Sequence, residues 1–264
     1  MPDADGRQPD ADLQLLVSAA ETAAYLALSY FRQDPKVWHK DNASPVSEAD
    51  YAVDHLLKET LLAARPDYGW LSEETEDDPA RLACRRVFVV DPIDGTRGFL
   101  AGSDEWTISL AVVEDGAPKA AVLIQPTAAR IFTATADGGA YVGGQPLAII
   151  RVPEIADARV AGPTALMTRL RKAVPTVRDG GYVASLALRI ALVADGRLDL
   201  AFARPNAHDW DIAAAHLILT EAGGTLMAAN GADIRYNLAV TTHPGLIAGS
   251  DMLARQALDQ LGPF

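Results

Sequence analysis

The chain has 264 residues, 49% hydrophobic and 22% charged, enough for one or two domains with a sizeable core. Its 35 acidic and 23 basic side chains give a formal net charge of −12, which repels phosphate backbones and excludes broad nucleic-acid coating; an anionic substrate would need local cations, a metal ion above all. Cys84 is the only cysteine, so an intrachain disulfide and a cysteine-rich zinc site are excluded and a reducing cytoplasm fits. Cys84 itself reads as a small residue at the edge of a core. The opening stretch MPDADGRQPDADLQ is acidic without an apolar run, which predicts no signal peptide and a disordered tail over residues 1–10. No segment approaches the roughly 18 consecutive apolar residues of a membrane span.

In chain order, ADLQLLVSAAETAAYLALSYFR places Leu13, Leu16, Ala20, Ala23, Ala24 and Ala27 at helical spacing and predicts a long first helix. Ser47 is placed to cap a second helix that carries Ala52, Leu56, Leu57 and Leu61 and stops before Pro66. YGWLSEE reads as a short strand ending in acids. RVFVVD reads as a strand inside a sheet, because its apolar run does not alternate. TISLAVVEDGAPKAAVLIQP is two strands around a turn at 114–118, and ARIFTATADGGAYVGGQPL is another hairpin. From about residue 155 helix and strand alternate: VASLALRIALVADG a helix, RLDLAFA a strand, DWDIAAAHLILTEAGG a helix closed by glycine, TLMAA a strand. This predicts a mixed architecture, α+β and then α/β. An N-terminal half over 11–153 is followed by a C-terminal half over 154–264. No internal repeat or low-complexity segment is visible.

The segment VFVVDPIDGTRGFL ends a buried strand with two carboxylates, Asp91 and Asp94, three residues apart. Pro92 is expected to force the chain out of the ladder, and Gly95 to permit a tight turn that leaves the two acids close in space. Such a pair either shares a proton or holds a cation, and an all-oxygen site of this kind suits Mg²⁺ or Mn²⁺. The carbonyl of Ile93 is a natural further ligand. The amides of Gly95 and Thr96 are available to an anion, and the Thr96 hydroxyl could hold a water. The plainer reading is a capped turn, since Asp-Pro and Asp-Gly are common turn pairs. Other acids stand at element ends: Glu73 and Glu74 in LSEET, Glu48 and Asp50 in SEAD, Asp209 and Asp211 in HDWDIAAA. Taken singly, Asp209 reads as an N-cap, Asp211 as a first-turn acid and Asp50 as part of a solvated helix face. Together they are harder to dismiss.

DPIDGTRGF and WDIAAAHLILTEAGG resemble the two signature segments of the inositol monophosphatase superfamily, with SPVSEAD and LSEE in the family's order and spacing. The resemblance covers roughly residues 12–250. It implies a layered αβαβα sandwich of the inositol monophosphatase/fructose-1,6-bisphosphatase type, a homodimer, and an Mg²⁺-dependent phosphomonoesterase inhibited by Li⁺ and Ca²⁺. It also implies the site. Glu73, Asp91 and the Ile93 carbonyl hold one metal; Asp91, Asp94 and Asp211 hold a second; Glu73 helps a third, weaker ion. Asp50 orients Thr96, which with Glu73 positions and deprotonates the attacking water, and Glu74 stands behind the ligands. Metal ions acidify water and clamp the attacking and leaving oxygens of an in-line displacement.

The family divides by leaving group. Members that hydrolyse inositol phosphates carry Glu seven residues before the metal Asp, where this chain has Arg204, a residue able to pair bidentately with a second phosphate. Arg97 and Arg189 stand where bisphosphate nucleotidases of the CysQ type often have Lys, and HKDNASPVSEAD resembles their opening segment, with Lys40 basic near the site. The leading substrate is therefore adenosine 3',5'-bisphosphate, cleaved at its 3'-phosphate; the alternatives are inositol 1-phosphate or a sugar phosphate, and, from another class, a regulatory binding protein on a vestigial phosphatase fold. The bland reading of each arginine is solvated surface or a dimer salt bridge. Ser185 sits near the family's substrate contact, with Ala184 replacing the usual Gly. His208 could touch substrate or make a helix-entry hydrogen bond; His216 reads as a satisfied buried histidine. His39, His55 and His243 show no zinc spacing. Trp38, Trp70 and Trp106 read as core or rim, and Trp210 as a helix anchor or a base stack. The glycine pairs at 138–139, 143–144 and 180–181 lack the Lys-Ser/Thr of a P-loop. No membrane or direct nucleic-acid partner is expected.

Overall fold

A computed structural model describes residues 9–39 and 45–264; Lys40 lies outside them. The chain opens with helix α1 (Pro9–Tyr30), a small antiparallel pair β1 (Val37–His39) and β2 (Pro45–Ser47), and helix α2 (Glu48–Ala64). Ser47 caps α2 as its position predicts: its Oγ accepts the Ala49 amide at 3.2 Å, while Asp50 Oδ2 accepts the Ser47 amide at 2.8 Å.

Next come β3 (Gly69–Ser72), β4 (Arg86–Asp94), a single helical turn α3 (Thr96–Leu100), β5 (Thr107–Glu114), β6 (Ala117–Gln125), β7 (Arg130–Thr135), β8 (Gly139–Val142) and β9 (Gln145–Pro146). These strands form one seven-stranded sheet in chain order, with β3 parallel to β4 and every other pair antiparallel. The C-terminal part contains β10 (Arg159–Ala161), α4 (Thr164–Ala173), β11 (Arg178–Asp179), α5 (Leu186–Ala194), β12 (Leu200–Ala203), β13 (Ala207–His208), α6 (Asp209–Glu221), β14 (Thr225–Ala228), β15 (Thr242–His243), β16 (Leu246–Gly249) and α7 (Asp251–Leu261). Its mixed sheet runs β11-β10-β12-β16-β14.

Alternation along the strands assigns the layers. In β4, Phe88 and Val90 pack with Leu16 and Ala20 of α1 and Val53 and Leu57 of α2, whereas Val87 and Val89 pack with Leu188 of α5 and Ile212 and Ile218 of α6. In β12, Ala201 and Ala203 face that same middle layer, while Leu200 and Phe202 meet Leu166 and Leu170 of α4 and Leu253 and Ala257 of α7. The order is helices, sheet, helices, sheet, helices: an αβαβα sandwich. It explains two features of the sequence. The run in β4 does not alternate because both faces are covered. Helix α6 is apolar nearly all round because it lies between two sheets. No helix among the described residues is long and apolar enough to cross a membrane.

Pro92 does not end the ladder. Asp91 pairs with Ser109 and Asp94 with Thr107, so β4 spends one residue more than β5 between them: a β-bulge. Proline is tolerated inside it because the bulge leaves a residue outside the ladder, where a missing N–H costs no hydrogen bond.

Candidate metal centre and active site

The bulge builds the site. In a regular strand, residues three apart point to opposite faces. The inserted residue cancels that alternation and turns Asp91 and Asp94 to one side. Asp211 joins them from the first turn of α6, and the three carboxylates each bring an oxygen within 4.8 Å of the others. Strand β3 lies parallel to β4 with Ser72 beside Val90, so the chain leaves β3 next to Asp91; the Glu73 amide donates to the Val90 carbonyl at 3.2 Å. Glu73, Asp91, Asp94, Thr96 and Asp211 all line one cavity of about 580 Å³.

Each acid is fixed in its own way. Asp91 is 1% exposed; its Oδ1 accepts the Ile93 amide at 3.0 Å. Its Oδ2 is buried with no hydrogen-bond partner among the described residues. Burial, then the charges of Glu73, Asp94, Asp211 and Glu74, push the Asp91 carboxyl well above the usual range. Asp94 caps α5 from outside: Oδ2 accepts the Ser185 hydroxyl at 2.5 Å and the Ala187 amide at 2.6 Å, and Oδ1 the Leu186 amide at 3.2 Å. Burial still raises its carboxyl above the ordinary value, against those hydrogen bonds. Asp211 Oδ2 accepts the His208 amide at 2.6 Å. An orphaned buried carboxylate oxygen within an all-oxygen cluster fits a hard divalent cation. The residues that would hold it are Asp91, Asp94 and Asp211, with Glu73 lining the same cavity. The Ile93 carbonyl lies 3.1 Å from the Thr96 hydroxyl, which also lies 3.2 Å from Asp50 Oδ1.

Several readings change. Asp50 is not on a solvated face. It is 1% exposed, accepts the Ser47 amide and the Ser47 hydroxyl (2.6 Å), and is pushed up to about 6, chiefly by burial. Asp209 is not the N-cap of α6; His208 is. Asp209 is buried instead, its carboxylate 2.7 Å from His243 Nε2 and accepting the Asn237 amide at 2.7 Å. Ser185 is fully buried behind Asp94, caps α5 by accepting the Leu188 amide at 2.9 Å, and does not line the cavity; Ala184 does. Glu74 does not line the cavity either, although its charge acts on Asp91. Gly95, with φ of 96°, does, and a Cβ there would stand 3.1 Å from the Ser185 nitrogen.

The three arginines share the cavity with the acids. Arg189 is the most firmly held: its Nη1 donates to the Phe202 carbonyl at 2.9 Å and its Nη2 to the Val183 carbonyl at 2.8 Å. Arg97 and Arg204 are exposed. His208 makes a helix-entry contact, with Nδ1 3.1 Å from Thr241 Oγ1, and stacks on the Trp210 ring at 4.4 Å. His216 is a satisfied histidine, with Nδ1 2.7 Å from the Tyr236 hydroxyl and burial lowering it to about 4. Trp70 and Trp106 are core and Trp38 is exposed. Cys84 is partly buried and packs against the middle core layer.

Sequence reasoning missed the buried Asp54 and read Asp209, buried too, only as an N-cap. Asp54 carried a signal, standing four residues after Asp50 on one helix. The Asp209–His243 contact spans 34 residues and carried none.

Residues 9–261 match the inositol monophosphatase family. A Streptomyces griseus protein named glucose-1-phosphate thymidylyltransferase is 38% identical over 81% of this chain and 85% of its own. A Rhizobium meliloti inositol-1-monophosphatase is 34% identical over 75% and 77%, and a Chlorobaculum parvum histidinol-phosphatase 30% identical over 95% and 96%. The crystal structure of extragenic suppressor protein suhB from Bartonella henselae superposes with a TM-score of 0.85 at 28% identity, covering 96% of this chain and 98% of that one. With the acid cluster at the strand bulge and the sandwich around it, these matches show that the chain belongs to the inositol monophosphatase family of phosphatases.

Proposed function

We propose that this phosphatase is Mg²⁺-dependent and acts on a small phosphate monoester that carries a second anionic group, with adenosine 3',5'-bisphosphate the leading candidate and its 3'-phosphate the one removed. The observation that supports this reading is the presence of Arg97, Arg189 and Arg204 in the same cavity as Glu73, Asp91, Asp94 and Asp211. A net charge of −12 and four acids lining the cavity disfavour any anion. Guanidinium groups within that cavity restore attraction and pair well with phosphate oxygens.

A divalent cation held by Asp91, Asp94 and Asp211 would neutralise charge and acidify water. The protein's own groups supply the rest. Thr96, shared between Asp50 and the Ile93 carbonyl, offers a fixed oxygen to the attacking water, and Glu73, which lines the same cavity, is the acceptor for the water's proton. The water oxygen bonds to phosphorus as the ester P–O bond breaks, and the leaving oxygen takes up a proton. Inorganic phosphate and an alcohol result. No covalent phosphoenzyme is needed.

Inositol 1-phosphate is the second reading, favoured by the 34% identity to an inositol-1-monophosphatase. The test is phosphate release with Mg²⁺ from adenosine 3',5'-bisphosphate, myo-inositol 1-phosphate and histidinol phosphate at equal concentration. The nucleotide should win by at least tenfold, and Arg204→Glu should erode that lead. If inositol phosphate wins, or Arg204→Glu leaves the ratio unchanged, the arginine argument fails.

A further inference from the structure

Helix α2 carries two buried carboxylates one turn apart, Asp50 and Asp54. Positions i and i+4 share a helix face, about 6 Å apart along the axis. Asp50 reaches Thr96. Asp54, which is 6% exposed, reaches the other acidic loop of the site. Its Oδ1 accepts the Ser72 hydroxyl, and its Oδ2 accepts the Thr75 hydroxyl at 2.6 Å. Ser72 and Thr75 bracket Glu73 and Glu74.

The direction of these bonds is set. Ser72 Oγ also accepts the Glu74 amide at 3.4 Å, and Thr75 Oγ1 accepts the Trp70 indole N–H at 3.2 Å. Each hydroxyl has one proton and gives it to Asp54 while taking an N–H from the loop or the core. A single buried carboxylate therefore closes both ends of the turn that presents Glu73, and the Glu73 amide pins its middle to strand β4.

We propose that Asp54 is a positioning residue for Glu73: α2 acts as a spacer, holding Thr96 through Asp50 and the Glu73 loop through Asp54, so that the two loops meet the Asp91–Asp94 bulge in register. The inference rests on the metal-centre reading of that site. Groups that orient a ligand loop commonly change metal affinity 10–100-fold when removed.

The test is Asp54→Asn beside Thr75→Val. Asparagine must turn an NH₂ toward one of the two hydroxyls, whose proton then loses its carboxylate acceptor; valine, at constant shape, removes the Thr75 bond to Asp54 together with the acceptor of the Trp70 indole N–H. Mg²⁺ binding to the EDTA-stripped proteins is measured by calorimetry, together with the Mg²⁺ dependence of phosphate release and the metal-free Tm. Asp54→Asn should weaken Mg²⁺ binding by about tenfold or more, and Thr75→Val should shift Mg²⁺ affinity the same way by less. If Asp54→Asn fails to fold, the Thr75→Val affinity decides. A lowered metal-free Tm with wild-type Mg²⁺ affinity in both variants would mean that Asp54 merely stabilises the fold, and would overturn the proposal. If the wild-type protein itself binds no Mg²⁺, it is the metal-centre reading that fails.

Discussion

Replacing Asp91 with Asn sets the needs of the fold against the needs of the metal. Two full charges 4.8 Å apart, the outer limit of the spacing within the acid triad, repel by about 3.5 kcal/mol at an effective dielectric of 20. Asp91 has Asp94 and Asp211 at that range, with Glu73 and Glu74 adding to them. Burial and these neighbouring charges push its carboxyl well above the usual range, which favours the neutral form when no metal is bound. Asparagine copies that neutral form. Its Oδ1 can keep the Ile93 amide, and its NH₂ stands where Oδ2 now lacks a partner and points donors at carboxylates. Metal-free stability should therefore hold or rise, by up to ~3 kcal/mol at pH 8. Cation binding should go the other way. At a hundred times its Kd, a ligand adds about 2.7 kcal/mol, or roughly 5–10 °C of Tm for a chain of this size. Wild type should gain that with Mg²⁺, while Asp91→Asn should gain almost nothing and lose Mg²⁺-dependent turnover. Thermal scans with EDTA and with Mg²⁺ give both quantities. The reasoning is refuted if the variant gains as much from Mg²⁺ as wild type, or if it unfolds well below wild type without metal.

Three further outcomes can be checked. Gly95→Ala puts a Cβ on a left-handed residue, at about 1–2 kcal/mol, and presses it against the Ser185 backbone, which is itself tied to the Glu105 carbonyl; Tm should fall by about 2–8 °C, and an unchanged Tm would remove the steric argument. Metal-free protein should be more stable at pH 5.5 than at pH 7.5. Asp50 is raised from 3.8 to about 6, and Asp91 and Asp94 are raised too, so their stabilisation is full below 3.8 and is lost as pH rises through the folded values. His216, lowered to about 4, opposes them, because its contribution is lost as pH falls from 6.5 toward 4, but it is one group against three. A Tm that only falls between pH 7.5 and 5.5 contradicts that balance. Tyr182, 77% exposed at the cavity after the left-handed Gly181, offers a ring to a nucleobase. At about 1–3 kcal/mol per stacked base, Tyr182→Ala should raise KM for adenosine 3',5'-bisphosphate about tenfold and leave inositol 1-phosphate within about twofold; equal effects on both would discard the stack.

Much of this molecule was legible because its signals are local. Ser47 and Asp50 stand at the spacing of a helix cap, the run in β4 does not alternate because both faces are buried, and the acids of the site stand at element ends. What stayed hidden depends on register and distant packing. The bulge that brings Asp91 and Asp94 to one side is a mismatch between two strands, invisible in either alone. Asp50 reads as an ordinary helix acid until β2 and α3 close over it. Ser185 sits in a segment that resembles a substrate contact, yet its hydroxyl is taken by Asp94, 91 residues earlier. Strands β10, β11 and β13, of two or three residues each, are too short to carry a periodicity.

The most direct measurement is phosphate release from a panel of phosphate monoesters by protein stripped with EDTA, before and after Mg²⁺ is added back. The account predicts turnover that is negligible without the cation, restored by Mg²⁺ and absent in Asp91→Asn. Turnover that persists without a divalent cation would contradict the acid cluster as a metal centre, and no turnover on any ester with Mg²⁺ present would point to a binding protein on a phosphatase fold.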